Sequence, residues 1–230
     1  MQKALLLAIL LTTYFPLAAL TFSPYVQISP TGNNSTPELA VSSDGSWLAC
    51  WVNFPTNTIQ AAFFFSPTGV TTMFDDIGTG TAQQIGIDQY GNFSIVWVGS
   101  TGSNTSEILF SRYDPRLNGV GGFTNSAQVI STTVNASNST PKLAVSNTGY
   151  AVIAWLQNGF PVAVSFNPNV STDTQFSPPL TSSPLSLVFL PAAFGLFGTT
   201  TENGGFAVVN SFANSANPQG AIEISTITIP

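Results

Sequence analysis

The chain offers few side chains with which to do chemistry. It contains no histidine and one cysteine among its 230 residues. Without imidazole, Ser-His-Asp and Cys-His catalysis are excluded, as is the commonest transition-metal ligand. Cys50 sits inside an apolar strand pattern and reads as a small buried hydrophobe, not a reactive thiol. The acid–base groups that remain are Glu38, Asp44, Asp75, Asp76, Asp88, Glu107, Asp114, Asp173, Glu202 and Glu223. Two of these, correctly spaced, could hydrolyse a glycoside. However, Asp44, Asp88 and Glu202 fall in or beside a repeated tight turn, which accounts for them without catalysis. Asp75 and Asp76 are adjacent and could join backbone carbonyls around calcium, but they read first as a solvated pair at a strand end. Arg112 and Arg116 read as a solvated segment around Asp114-Pro115.

Composition narrows the class further. Only 6% of residues are charged, and the formal net charge is -6. Four cations cannot neutralise a phosphate backbone, so nucleic-acid binding is excluded. Hydrophobic residues make up 43% of the chain, with 18 phenylalanines, so a large core is available. Residues 1–19 read as a secretory signal: Lys3, an apolar run from Ala4 to Thr13, then Pro16-Leu17-Ala18-Ala19 as a cleavage site. The expected product is secreted, periplasmic or at the cell surface, with no stable membrane insertion after cleavage and no disulfide.

Whatever chemistry exists must be positioned by a fourfold repeat. Its copies are Gly45 to Trp51, Gly91 to Trp97, Gly149 to Trp155, and Gly204 to Asn210. Each glycine ends a tight turn, and each following run carries apolar residues on both period-two faces. Such a strand is covered on two sides. First strands precede the turns at Pro37–Ser42, Gln84–Asp88 and Pro141–Ser146. Third strands come after the hairpins, at Ile59–Phe65, Glu107–Tyr113, Pro161–Phe166 and Ala221–Ile229. Fourth strands are expected at Thr72–Ile77, Gln128–Ser131 and Leu180–Ser183, and the first strand of the last copy within Leu185–Phe197. Trp51, Trp97 and Trp155 therefore read as core, with sugar stacking the lesser use.

Four-stranded units repeated at about 50 residues describe propeller blades. The fold expected is all-β: a small propeller of four antiparallel four-stranded blades spanning residues 20–230. The ring would be closed by the N-terminal strand Tyr25–Ser29 pairing beside Ile222–Ile229. The alternative is a β-sandwich.

The hairpins resemble blades of bacterial exported β-propeller proteins, loosely the sialidase-like group with Asp-box repeats. An Asp box reads Ser-x-Asp-x-Gly-x-Thr-Trp; the stretch from Ser42 through Asp44 and Gly45 to Trp47 is one residue short and lacks the threonine. Sialidase chemistry in that group requires three arginines around the substrate carboxylate. Two arginines are present here, so the resemblance implies architecture and not that activity.

The function expected is a monomeric, non-catalytic binding or interaction module without a cofactor, presenting Asn/Ser/Thr-rich loops to a glycan or extracellular protein. The alternatives are a carboxylate-dependent glycoside hydrolase or lyase, and a self-assembling surface protein. The residues expected to touch a ligand are Asn34, Thr36, Asn104, Asn138, Thr140 and Asn158. Asn33, Asn34, Asn92, Asn104, Asn135, Asn138 and Asn169 also head glycosylation sequons.

Overall fold

The computed structural model describes residues 27–29, 32–101, 106–131, 136–170, 176–177, 180–181, 193–198, 205–212 and 221–228. Among these the chain is all-β, apart from one 3-10 turn at Leu117–Gly119. The signal sequence expected at 1–19 and Tyr25 and Val26 of the closing strand lie outside the described residues. Gln27 and Ile28 are described and are not in a strand. No helix among the described residues is long and apolar enough to cross a membrane.

Among the described residues four antiparallel sheets succeed one another along the chain. Sheet one contains β1 (Asn33–Val41), β2 (Trp47–Phe54), β3 (Thr58–Phe65) and the first half of β4 (Val70–Ile87). Sheet two contains the second half of β4, then β5 (Phe93–Gly99), β6 (Glu107–Asp114) and β7 (Gly122–Val129). Sheet three orders β8 (Asn138–Val145), β9 (Ala151–Gln157), β10 (Phe160–Phe166) and the short β11 (Leu180–Thr181). Sheet four has three described strands, β12 (Ala193–Gly198), β13 (Gly205–Phe212) and β14 (Ala221–Thr228).

The expected break between a fourth strand at Thr72–Ile77 and a first strand at Gln84 does not occur. β4 runs unbroken for 18 residues and belongs to both sheets. Its middle is Gly78-Thr79-Gly80, and these glycines lie against the Trp97 indole. A Cβ at Gly78 would stand 2.7 Å from Trp97 Cζ2, and one at Gly80 would stand 2.2 Å from the Val98 carbonyl oxygen. Only bare backbone passes there, so the glycines mark a close crossing and not a turn. The fourth strand of sheet two also falls earlier than expected, at Gly122–Val129.

The first turns form as their glycines require. Gly45, Gly91 and Gly149 adopt φ of 86°, 79° and 86°, a region that costs a side-chain-bearing residue energy. Each turn is closed by a backbone pair: Ser42 N to Ser46 O at 2.8 Å, Asp88 N to Asn92 O at 3.0 Å, Ser146 N to Tyr150 O at 2.8 Å.

Two cores hold the sheets face to face. Leu48, Cys50, Ile59 and Phe63 of sheet one meet Phe93, Ile95, Trp97, Leu109 and Tyr113 of sheet two. Val96, Ile108 and Phe110 from the other face of sheet two meet Ile153, Trp155, Val164 and Phe166 of sheet three. Sheet two is thus covered on both faces, which a two-sheet sandwich does not permit. Aromatic rings fill the first core at tilted and edge-on angles: Phe63 lies 5.2 Å from Phe93, and Phe74 lies 5.1 Å from Tyr113. Burying one such side chain contributes about 1.5–3 kcal/mol. Sheet four comes next, with β12 against β8 and β9. The far face of sheet one differs: Leu39 and Val41 are 67% and 63% exposed.

Candidate functional site

Successive first strands lie side by side: β1 beside the second half of β4, β4 beside β8, and β8 beside β12. Each of the first three carries a bulge at the same place. The register shifts between Ser35 and Glu38, between Thr81 and Gln84, and between Ser139 and Lys142. Inside each bulge one residue takes a positive φ: Thr36 at 48°, Ala82 at 53° and Thr140 at 49°. All three are exposed. A β-branched threonine in that region is strained, and the strain recurs at matched positions.

The bulges re-aim the residues just beyond them. Glu38, Gln84 and Lys142 stand opposite Cys50, Val96 and Ala154 of the neighbouring second strands, the same register in each sheet. All three are half-buried. Gln84 Nε2 donates to Glu38 Oε1 at 3.0 Å, bridging β1 and β4. Gln83, buried beside it, donates from Nε2 to Thr36 Oγ1 at 3.1 Å and to the Thr36 carbonyl.

The structure separates the six residues expected to touch a ligand. Asn34 and Thr36 lie in β1, and Asn138 and Thr140 in β8, not in loops. Asn34 Oδ1 accepts from Asn53 Nδ2 at 3.1 Å. Asn138 is 3% exposed; its Oδ1 accepts from Trp155 Nε1 at 3.0 Å and its Nδ2 donates to the Ser106 carbonyl at 2.6 Å. It is therefore a core polar group. Asn158 occupies the β9–β10 turn at φ 52° and is exposed, but its Oδ1 accepts from Ser137 N at 2.9 Å. Asn104 lies outside the described residues. Thr36 and Thr140 are the two that combine exposure with a place on the first strands. Of the sequons, Asn92 is committed too, with its Nδ2 donating to Asp88 Oδ2 at 2.8 Å.

Arg112 is not the solvated residue that its sequence context predicts. It lies in β6 and is 7% exposed. Its Nη2 pairs with Asp88 Oδ2 at 3.1 Å, and its Nη1 donates to the Gly149 carbonyl at 3.0 Å. The guanidinium also sits 5.4 Å from the centre of the Phe166 ring. Burial lowers its pKa, while the charge and hydrogen bond of Asp88 oppose that shift. Asp88 in turn caps its own hairpin, with Oδ1 accepting from Tyr90 N and Asn92 N at 2.9 and 3.0 Å. This pair thus ties the second turn to the third. The available signal was that Arg112 has apolar neighbours at period two, Ile108 and Phe110 on its own face. Arg116 is exposed, its guanidinium 5.0 Å from the Phe65 ring centre.

Other carboxylates are also engaged. Asp44 Oδ1 accepts from Ser46 N at 2.8 Å. Its slight burial raises its pKa, but the hydrogen bonds from Ser46 and Ser42 and the charge of Arg116 outweigh this and lower it. Glu107 Oε2 accepts from Thr101 N and Oγ1, both at 2.7 Å, and Asp114 Oδ1 accepts from Arg116 N at 2.8 Å. Asp75 and Asp76 are exposed on β4. Among the described residues no group of three or more His, Cys, Asp or Glu side chains could hold a metal ion. Burial, then the nearby Glu38 charge, pushes the Cys50 thiol up to about 12.

No protein-family model matches the chain, and no curated protein matches it. It is similar to an exo-β-1,3-galactanase from Phanerochaete chrysosporium crystallised with β-1,3-galactotriose, at 12% identity and a TM-score of 0.44. That match covers 84% of this chain and 46% of the galactanase. A native arabinanase from Bacillus subtilis is similar at 18% identity and a TM-score of 0.42, over 84% of this chain and 70% of the arabinanase. A Hadza microbial sialidase is similar at 11% identity and a TM-score of 0.44, over 83% of this chain and 43% of the sialidase. The chain therefore spans less than half the length of the galactanase and sialidase structures it matches. At these identities the likeness concerns the fold and carries nothing of substrate.

Proposed function

We propose that this chain is an exported, non-catalytic binding module, a four-bladed β-propeller whose row of first strands holds a glycan or an extracellular protein. Export rests on the signal pattern of residues 1–19. In this reading the ring is closed by sheet four against the open face of sheet one. The exposed apolar residues Leu39 and Val41 support closure, because they are the counterpart of faces that are covered in sheets two and three.

One observation carries the reading of function. Glu38, Asp44, Asp88, Glu107 and Asp114 already hold a turn, a backbone group or a neighbouring side chain. Exposed threonines at strained bulges recur at matched places on the first strands, Thr36 with its hydroxyl on Gln83 and Thr140 at the equivalent position. That pattern suits hydrogen bonding to a ligand and leaves no opposed acid and base for hydrolysis among the described residues. The test is a glycan array and an extracellular-protein pull-down with the purified mature chain, alongside turnover assays on the same glycans. Binding without turnover, weakened in Thr36→Ala and Thr140→Ala, is the expected result. Turnover lost in a carboxylate variant would establish the hydrolase alternative instead.

A further inference from the structure

Two Asn-Gly pairs lie among the described residues, Asn118-Gly119 and Asn158-Gly159. Such a pair is reactive by itself. Glycine places no side chain beside its backbone nitrogen, so that nitrogen can reach the carboxamide carbon of the preceding asparagine. Both pairs sit in turns with positive φ: 54° and 77° at residues 118 and 119, 52° and 83° at 158 and 159. Local conformation therefore ranks them alike, and their surroundings do not. Asn118 lies in the 3-10 turn between β6 and β7, and it is exposed, as are Gly119 and Val120. The turn buries none of its own residues, and no side chain caps its start. Backbone bonds alone hold it: Gly119 N to Arg116 O at 3.1 Å, Val120 N to Leu117 O at 3.2 Å and Gly121 N to Leu117 O at 2.9 Å. The Asn118 carboxamide has no hydrogen-bond partner among the described residues. A Cβ at Gly119 would meet nothing within 4 Å, so a ring can form there without displacing a neighbour. Asn158 is exposed too, but it is tied at two atoms. Its N donates to the Ser137 carbonyl at 2.8 Å, and its Oδ1 accepts from Ser137 N at 2.9 Å. Its carboxamide cannot turn toward Gly159 without giving up Ser137.

The structure assigns Asn118 as a site of spontaneous covalent modification, deamidation through a succinimide. The Gly119 backbone nitrogen loses its proton to solvent base and attacks Asn118 Cγ. A C–N bond forms, and the carboxamide nitrogen leaves as ammonia. Water then opens the ring at either carbonyl. One opening yields aspartate; the other yields isoaspartate, with the main chain routed through Cβ. Only water and solvent base take part. At ψ 20° the Gly119 nitrogen faces away from Cγ, so the turn opens first and releases the bond to Arg116 O. An exposed turn of this kind opens far more readily than the whole domain unfolds. Either product adds a negative charge two residues from Arg116, whose guanidinium lies 5.0 Å from the Phe65 ring centre. Isoaspartate also lengthens the main chain within the turn. The connection from β6 to β7 therefore changes its charge and its length with age.

The experiment incubates the purified mature chain in mildly acidic and mildly alkaline buffer, folded and in urea. Peptide mapping by mass spectrometry follows both sites, with fragmentation that separates aspartate from isoaspartate. In folded protein Asn118 should convert roughly tenfold faster than Asn158. Conversion should be faster in alkaline buffer, because the attacking nitrogen must lose its proton, and isoaspartate should be among the products. In urea the two sites should convert at similar rates, because the ties of Asn158 to Ser137 are gone. An Asn118 that stays an amide in folded protein overturns the assignment, whether or not it converts in urea. An Asn158 that keeps pace with Asn118 in folded protein overturns it as well. None of these outcomes depends on whether the chain binds a glycan.

Discussion

Replacing Arg112 by methionine isolates the buried ion pair. The substitution keeps an unbranched aliphatic stem and deletes the guanidinium, which lies 5.4 Å from the Phe166 ring centre. It strands the Asp88 carboxylate, whose side chain is 0% exposed, and it orphans the Gly149 carbonyl. Removing one partner of such a pair costs about 3–5 kcal/mol, mostly because the survivor stays charged in a poorly solvating site. For a domain of this size each kcal/mol lowers Tm by about 2–4 °C, so the expected fall is about 6–20 °C. Asp88→Asn keeps an oxygen for Tyr90 N and Asn92 N but leaves Arg112 buried and unpaired, so it should cost a comparable amount. The double variant removes both charges at once. It should be more stable than the sum of the single losses by roughly 2 kcal/mol or more, since the two residues touch. Urea unfolding followed by tryptophan fluorescence reads all four proteins, because Trp97 and Trp155 are fully buried in the two cores that flank the pair. If Arg112→Met costs less than about 1 kcal/mol, or the single losses add within about 0.5 kcal/mol, the pair does not bind the second turn to the third.

Gly149→Ala should destabilise by more than the usual glycine penalty: its φ is 86°, and its Cβ would stand 2.8 Å from both Arg112 Nη2 and Asp88 Oδ2. A loss of about 2 kcal/mol or more in the same urea assay is expected. Asn138→Ala strands the Trp155 indole N–H and the Ser106 carbonyl and should cost about 2–4 kcal/mol; Trp97 Nε1 has no partner among the described residues, so Trp97→Phe should cost less than Trp155→Phe. Cys50, with its pKa at about 12, should resist a thiol reagent at pH 8 in the folded protein and react promptly in urea; labelling of folded protein at the unfolded rate would contradict its burial. If sheet four covers sheet one, Leu39→Asp with Val41→Asp should lower Tm by several degrees, since it would bury two unpaired charges. An unchanged Tm would mean that face stays in water.

The scaffold was largely legible in the sequence, and the site was not. Turn glycines 45, 91 and 149 announce themselves because positive φ is a local demand. The alternation in Phe93, Ile95 and Trp97 against Val96 and Val98 announces two covered faces for the same local reason. By contrast, Asn138 looked like a loop ligand because Asn and Ser dominate its neighbourhood; only its indole and carbonyl partners reveal a core role. Arg112 looked solvated because its partner is Asp88, on another strand and in another turn.

Sequence by itself thus determined strands, hairpins and which residues share a strand face, all properties set by φ, ψ and period two. Tertiary structure decided the rest. It carried β4 unbroken across two sheets because two glycines let backbone lie on Trp97. It brought Gln84 onto Glu38, although the two belong to different repeats. Contacts of that kind depend on how sheets stack and on where bulges shift the register, and neither is encoded in any short window of the chain.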